Sequence, residues 1–179
     1  RVGLLGCGSV GGGALTLLAE HAAKLAARVG APIEVRKVLV RDLDKPRVEA
    51  CDRSWLTTDP ADLLDDDDID IVLEVVGGAE VAKDFVERAP DGKKGVVTAN
   101  KMLFALHGPA LLSRAVSAGV DLAFEGAVGG GIPVVRTLRE AFVSDGVRSL
   151  TGILNGTSNY VLTRMLDDGS TFADAVASA

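Results

Sequence analysis

Apolar positions along the chain alternate between short continuous runs and stretches spaced by three and four. Residues 2–5 are an apolar run long enough for a buried strand. Leu15, Leu18, Ala22, Leu25, Ala26 and Val29 then share one helical face, which predicts one helix over 14–29, ended by Gly30-Ala31-Pro32. Strands are predicted at 33–40, 69–76, 95–99 and 120–124. Helices are predicted at 79–89, where Val81, Phe85, Val86 and Ala89 point inward, and at 109–118. Strands alternating with helices of this length predict an α/β fold with a parallel, doubly wound sheet. In such sheets ligands bind at the carboxyl ends of the strands.

The first of those ends is Gly6-Cys7-Gly8-Ser9-Val10-Gly11, which matches G-x-G-x-x-G between a strand and a helix. Gly6 makes the tight turn, Gly8 lets backbone approach a pyrophosphate, and Gly11 lets helix pack on strand. Helix N–H groups and the helix dipole then favour the phosphates. The expected cofactor is NADP or NAD, on a Rossmann-type sheet. Gly12 and Gly13 weaken the first helical turn, which predicts close approach by strand backbone or cofactor.

Arg41-Asp42 lies just past the second strand, where this fold reaches the adenosine ribose. Arginine neutralises a 2′-phosphate, whereas an acidic residue accepts from a 2′-hydroxyl. Arg41 therefore favours NADP, Asp42 leaves NAD open, and a solvated strand end is the alternative. Further strand ends add Gly77, Gly78, Thr98, Asn100, Lys101 and the stretch 125–131. Lys101 is the candidate catalytic side chain, a cation placed to stabilise charge on a reacting oxygen. Asp65-Asp66-Asp67-Asp68 lacks the alternating spacing of a calcium loop and reads as a solvated turn within the acidic stretch 44–70. Trp55 reads as packing. His21, on the first helix, and His107, in a loop, are poor catalytic candidates.

After Glu125 the character changes. A glycine-rich crossing leads to a predicted helix at 134–142, a strand at 148–154, a turn with a helix cap at 155–158, and a helix at 160–166. Thr171 with Asp174 makes a weak capping pair for a last helix. The expected division is a nucleotide domain at 1–132 and the start of a second α+β domain at 133–179.

Composition narrows the class. The chain has 179 residues, 47% hydrophobic and 25% charged, as in ordinary globular proteins. Net charge of −6 argues against non-specific nucleic-acid binding. No apolar run is long enough to span a membrane. Two cysteines do not make a disulfide framework, so a cytoplasmic setting is expected. The absent initiator Met and the abrupt last helix lead us to expect a piece of a longer chain.

Several stretches together resemble homoserine dehydrogenase. They are Gly3-Leu-Leu-Gly-Cys-Gly-Ser-Val-Gly11, Thr98-Ala-Asn-Lys101, Glu125-Gly-Ala-Val-Gly-Gly-Gly-Ile-Pro133 and Gly152-Ile-Leu-Asn-Gly-Thr-Ser-Asn-Tyr160. The first is shared with many dehydrogenases, while the last two are far more specific. The resemblance implies NAD(P)-dependent interconversion of L-aspartate 4-semialdehyde and L-homoserine, on the way to threonine and methionine. It implies a small-molecule substrate contacted by Gly156 and Thr157, and a homodimer built through the second domain. It also implies a monovalent cation, Na+ or K+, held largely by backbone carbonyls at Glu125, Val128, Gly130 and Ile132. The family's further acidic, lysine and glutamate site residues fall beyond Ala179. Another amino-acid dehydrogenase such as aspartate dehydrogenase, or a non-catalytic nucleotide-binding module, are the alternatives. The Asn155–Tyr160 segment argues against the first.

Overall fold

The computed structural model describes residues 1–179 except Leu154. The chain packs as two compact units, Arg1–Gly130 and Gly131–Ala179. In the first, the strands are β1 (Val2–Leu5), β2 (Val35–Leu39), β3 (Leu56–Thr57), β4 (Ile71–Glu74), β5 (Gly95–Thr98) and β6 (Leu122–Ala123). Among the described residues they form one sheet of order β3-β2-β1-β4-β5-β6. Every pairing is parallel. This is the order of a dinucleotide-binding sheet, reversing direction between β1 and β4.

The helices of this unit are α1 (Ser9–Glu20), α2 (Ala22–Val29), α3 (Ala61–Leu64), α4 (Glu80–Arg88) and α5 (Lys101–Ala118). Period-two alternation sets the core. Val72 and Val96, on one face of β4 and β5, are buried with Val86 of α4 and Leu103 and Leu111 of α5. Leu4, Leu15, Val38 and Cys51 fill the core of the other half, with Trp55 packed against them. On the opposite face of β5 and β6, Val97 and Ala123 are exposed.

The structure revises several expected elements. Residues 14–29 are two helices, because His21 leaves helical geometry at φ −110°, ψ 16°. His21 is thus a junction residue. A Cβ on Gly12 would meet the Val48 side chain at 3.0 Å, whereas one on Gly13 would meet nothing. The close approach is made by a loop side chain, not by strand backbone. β3 and α3 arise inside the acidic stretch 44–70, where charged residues hide the short apolar segments Leu56 and Leu63-Leu64. α5 starts at Lys101, well before Pro109, because Asn100 Oδ1 accepts from Leu103 N–H at 3.1 Å and caps it. His107 therefore lies within a helix and not in a loop. The acidic run is a solvated turn. Asp65 pairs with Arg88, Asp68 pairs with Arg1, and the fully buried Lys94 ammonium donates to the carbonyls of Asp66 and Ile69.

In the second unit, α6 (Val134–Arg136) widens into a π-type segment, Thr137–Ala141. Residues 148–153 form no strand; Leu154, the end of that expected strand, lies outside the described residues. α7 (Gly156–Asp167) starts earlier than expected, at the Asn155 cap, whose Oδ1 accepts from Ser158 N–H at 2.7 Å. α8 (Phe172–Ala177) is capped by Thr171, which accepts from Asp174 N–H at 3.2 Å.

Candidate functional site: a cleft over the glycine turn

β1 ends at Leu5 and the chain turns sharply at Gly6, whose φ of +105° suits glycine alone. A Cβ there would also lie 2.8 Å from the Val75 carbonyl oxygen. A Cβ on Gly11 would overlap the Gly6 carbonyl oxygen, so the absence of a side chain lets α1 close on the turn. Around Gly8 there is open space. α1 begins at Gly8 with no side-chain cap, which leaves its first N–H groups to an outside acceptor. Ser9 and Val10 are exposed in that first turn, and the Cys7 side chain is buried beneath it.

A cleft of about 680 Å³ lies over this turn. Gly6, Cys7 and Gly8 form its floor, and Arg41, Asp42, Lys45 and Arg47 follow from the exit of β2. Val75 and Val76 close it from the exit of β4. The structure thus brings the glycine turn and Arg41 together. Arg41 and Lys45 are exposed. Arg47 is held: Nη1 donates to the Cys7 carbonyl at 2.7 Å and Nη2 to the Asp42 carbonyl at 2.8 Å. Sequence reading missed Lys45 and Arg47, because they sit in a loop without periodicity and their role depends on where that loop folds back.

The second group of expected residues clusters at the exits of β4 and β5. The parallel register sets Glu74 opposite Thr98. Thr98 Oγ1 donates to Glu74 Oε2 at 2.6 Å and accepts from Asn100 N–H at 3.0 Å. Asn100 Nδ2 donates to the Gly78 carbonyl at 2.6 Å. Gly77 and Gly78 both take positive φ, 77° and 79°. Lys101 follows in the first turn of α5 and is exposed. Glu74 was read only as part of a strand; a lone acidic residue in an apolar run was the available signal.

Glu125 opens a short turn, Glu125–Ala127, and its carbonyl accepts from Val128 N–H at 3.3 Å. Val128 and Gly130 follow in the first unit, whereas Ile132 lies in the second. Gly156 and Thr157 form the first turn of α7 in the second unit. Among the described residues no group of three or more His, Cys, Asp or Glu is arranged to hold a metal. His107 lies outside the cleft, its Nε2 3.9 Å from the Glu80 carboxylate.

Sheet order, glycine turn and cleft define a dinucleotide-binding domain of the nicotinamide-dependent oxidoreductase type. Residues 6–125 match the family described as "Homoserine dehydrogenase, NAD binding domain", and residues 133–179 match "Homoserine dehydrogenase". The chain belongs to the homoserine dehydrogenase family. It is 45% identical over 179 residues to a homoserine dehydrogenase of Bacillus subtilis, covering 100% of this chain and 41% of that protein. A homoserine dehydrogenase of Corynebacterium glutamicum is 44% identical over 178 residues, 99% of this chain and 40% of that one. A solved homoserine dehydrogenase from Thiobacillus denitrificans superposes with a TM-score of 0.93 at 46% identity, over 99% of this chain and 41% of that one. The chain therefore spans about two-fifths of the length of these relatives.

Proposed function

We propose that this chain takes part in the NAD(P)-dependent interconversion of L-aspartate 4-semialdehyde and L-homoserine, on the way to threonine and methionine. The observation that carries the reading is the open glycine turn at the exit of β1, with the Thr98–Lys101 segment at the exit of β5 two strands along the same sheet, in a chain of this family. A bound nicotinamide supplies or accepts the hydride. The residues of this chain bind and orient. The N–H groups of Ser9, Val10 and Gly11 receive the pyrophosphate, with Gly6, Cys7 and Gly8 giving it room. Gly77, Gly78, Thr98 and Asn100 shape the wall toward the reacting carbon. Hydride addition builds negative charge on the aldehyde oxygen, and the Lys101 ammonium donates a hydrogen bond to it.

Arg41 and Lys45 both line the cleft at the β2 exit, which favours NADP through its 2′-phosphate. A charge-assisted hydrogen bond contributes about 1.5–3 kcal/mol, so Arg41→Ala should shift the NADP-to-NAD preference roughly ten- to a hundredfold. An unmoved preference assigns Arg41 to a solvated strand end.

Three finer assignments rest on the family resemblance. Gly156 and Thr157 contact substrate with the N–H groups that open α7. The carbonyls of Glu125, Val128 and Gly130, three of the four expected, hold a monovalent cation. Residues 133–179 belong to a substrate and dimerisation domain. Val143, Leu150, Ile153, Leu166 and Phe172 there are all exposed apolar side chains, which suits a face covered by further protein. A cytoplasmic setting fits the two free, buried cysteines. No helix among the described residues is long and apolar enough to cross a membrane.

The test is homoserine-dependent reduction of NADP by the full-length protein. Turnover that requires homoserine supports the reading. Nucleotide binding without any turnover would assign a binding module instead.

A further inference from the structure

Glu74 is the one fully buried carboxylate among the described residues. It ends β4, directly before Val75 and Val76, which line the cleft. No lysine or arginine among the described residues pairs with it. Three donors converge on it instead. Val76 N–H donates to Oε1 at 2.9 Å, Asn100 Nδ2 faces Oε1 at 3.5 Å, and the Thr98 hydroxyl donates to Oε2 at 2.6 Å. The two residues that donate from their side chains have further engagements. Thr98 Oγ1 accepts from Asn100 N–H, Asn100 Nδ2 donates to the Gly78 carbonyl, and Asn100 Oδ1 caps α5.

One carboxylate is therefore the common anchor of two segments: Val76–Gly78 after β4, and Thr98–Lys101, which joins the end of β5 to the start of α5. Burying a carboxylate without a cation is unfavourable, and an apolar residue like Val72, two positions earlier on the same face, would fill a purely structural position. In doubly wound folds the first strands take the adenosine side of the dinucleotide and the later ones the nicotinamide side. We infer that Glu74 is a positioning residue for the nicotinamide half of the cleft. It holds the Gly77-Gly78 turn and the Lys101 segment in one arrangement through hydrogen-bond geometry. This rests on the cofactor reading above.

The test compares two ligands by calorimetry on the full-length protein: NADPH, and 2′,5′-ADP, which lacks the nicotinamide half. Glu74→Ala should weaken NADPH about tenfold or more and leave 2′,5′-ADP within about twofold. Glu74→Gln keeps the geometry, its carbonyl accepting from Val76 and its amide donating to Thr98 Oγ1. It should bind NADPH within about threefold of wild type. Thr98→Val removes one tether and should weaken NADPH roughly three- to tenfold, again sparing 2′,5′-ADP. Should Glu74→Ala fail to fold, the other two variants carry the decision. Parallel weakening of both ligands would reduce Glu74 to general stability, and a Glu74→Gln chain that loses NADPH would replace geometry by charge. Either result overturns the inference, as does unchanged NADPH binding in all three. A wild-type chain that binds neither ligand overturns the cofactor reading and this inference with it.

Discussion

Arg47 donates to the carbonyl oxygen of Cys7, forty residues away in the chain and inside the glycine turn, at 2.7 Å. Its second guanidinium nitrogen donates to the Asp42 carbonyl at the β2 exit, at 2.8 Å. One planar fork thus fixes the floor of the cleft relative to the loop that carries Arg41. A hydrogen bond from a charged donor contributes about 1.5–3 kcal/mol. Arg47→Ala should lower stability by about that amount and weaken dinucleotide binding roughly tenfold. Arg47→Lys should recover little, because a single ammonium lacks the fork that meets two carbonyls. Calorimetric binding with a urea midpoint checks both; a lysine variant that binds like wild type removes the bidentate argument.

The glycines of the turn separate folding from binding. Gly8 has open space where a Cβ would stand, whereas Gly11 would drive one into the Gly6 carbonyl. Gly8→Val should therefore melt close to wild type while losing most of its dinucleotide affinity, since the side chain fills the space proposed for the phosphates. Gly11→Ala should lower stability by about 1–3 kcal/mol, the usual range for overpacking. Thermal melts paired with titration decide it. A Gly8 variant with full affinity would remove the pyrophosphate from this turn.

The contrast explains what was legible in the chain. Residues 2–11 combine a strand, fixed glycine spacing and a helix, so local pattern alone carries the turn and its ligand class. Short apolar runs likewise carried β1, β2, β4, β5 and β6, although pairing in β2, β4, β5 and β6 ends before the runs do. β3 and α3 were hidden, because two- and four-residue elements inside an acidic stretch have no period to read. The start of α5 was obscured by Pro109, which the helix passes through once Asn100 has capped it. Arg47, Lys94 and Glu74 act on partners 40, 28 and 24 residues away, at Cys7, Asp66 and Thr98. No spacing rule announces such contacts; only the sheet order makes them neighbours.

The Sγ atoms of Cys7 and Cys51 lie 3.9 Å apart in the core. Burial, and then the neighbouring Cys7, push the Cys51 thiol up to about 11. The neutral form is favoured in the folded state. Its contribution to stability is therefore complete below the ordinary thiol value and is lost as pH rises toward 11. Urea midpoints should fall over that window in wild type and fall less in Cys51→Ala. Equal alkaline slopes in the two proteins would show that the thiol does not govern the loss. Iodoacetamide should label Cys51 slowly at pH near 8 unless the chain is unfolded.

Lys101 stands in the first turn of α5, directly after the Asn100 cap, and is exposed. A helix N-terminus carries partial positive charge, so a cation there is unfavourable by about 0.3–1 kcal/mol. A residue chosen for folding at this position would be neutral or acidic. Lys101→Ala should therefore leave the melting temperature unchanged or slightly higher. In the full-length dehydrogenase, loss of a hydrogen-bond donor to the developing oxyanion should lower kcat by roughly 10²–10³. Dinucleotide affinity should change much less, because the proposed pyrophosphate site lies over the glycine turn. Lys101→Arg keeps the charge but moves it, and should recover only part of the rate. Steady-state kinetics with homoserine and NADP, set beside thermal melts, separates the two effects. A Lys101→Ala enzyme with near-normal kcat would remove the ammonium from the chemical step, and one that loses stability in proportion to activity would make Lys101 a structural residue.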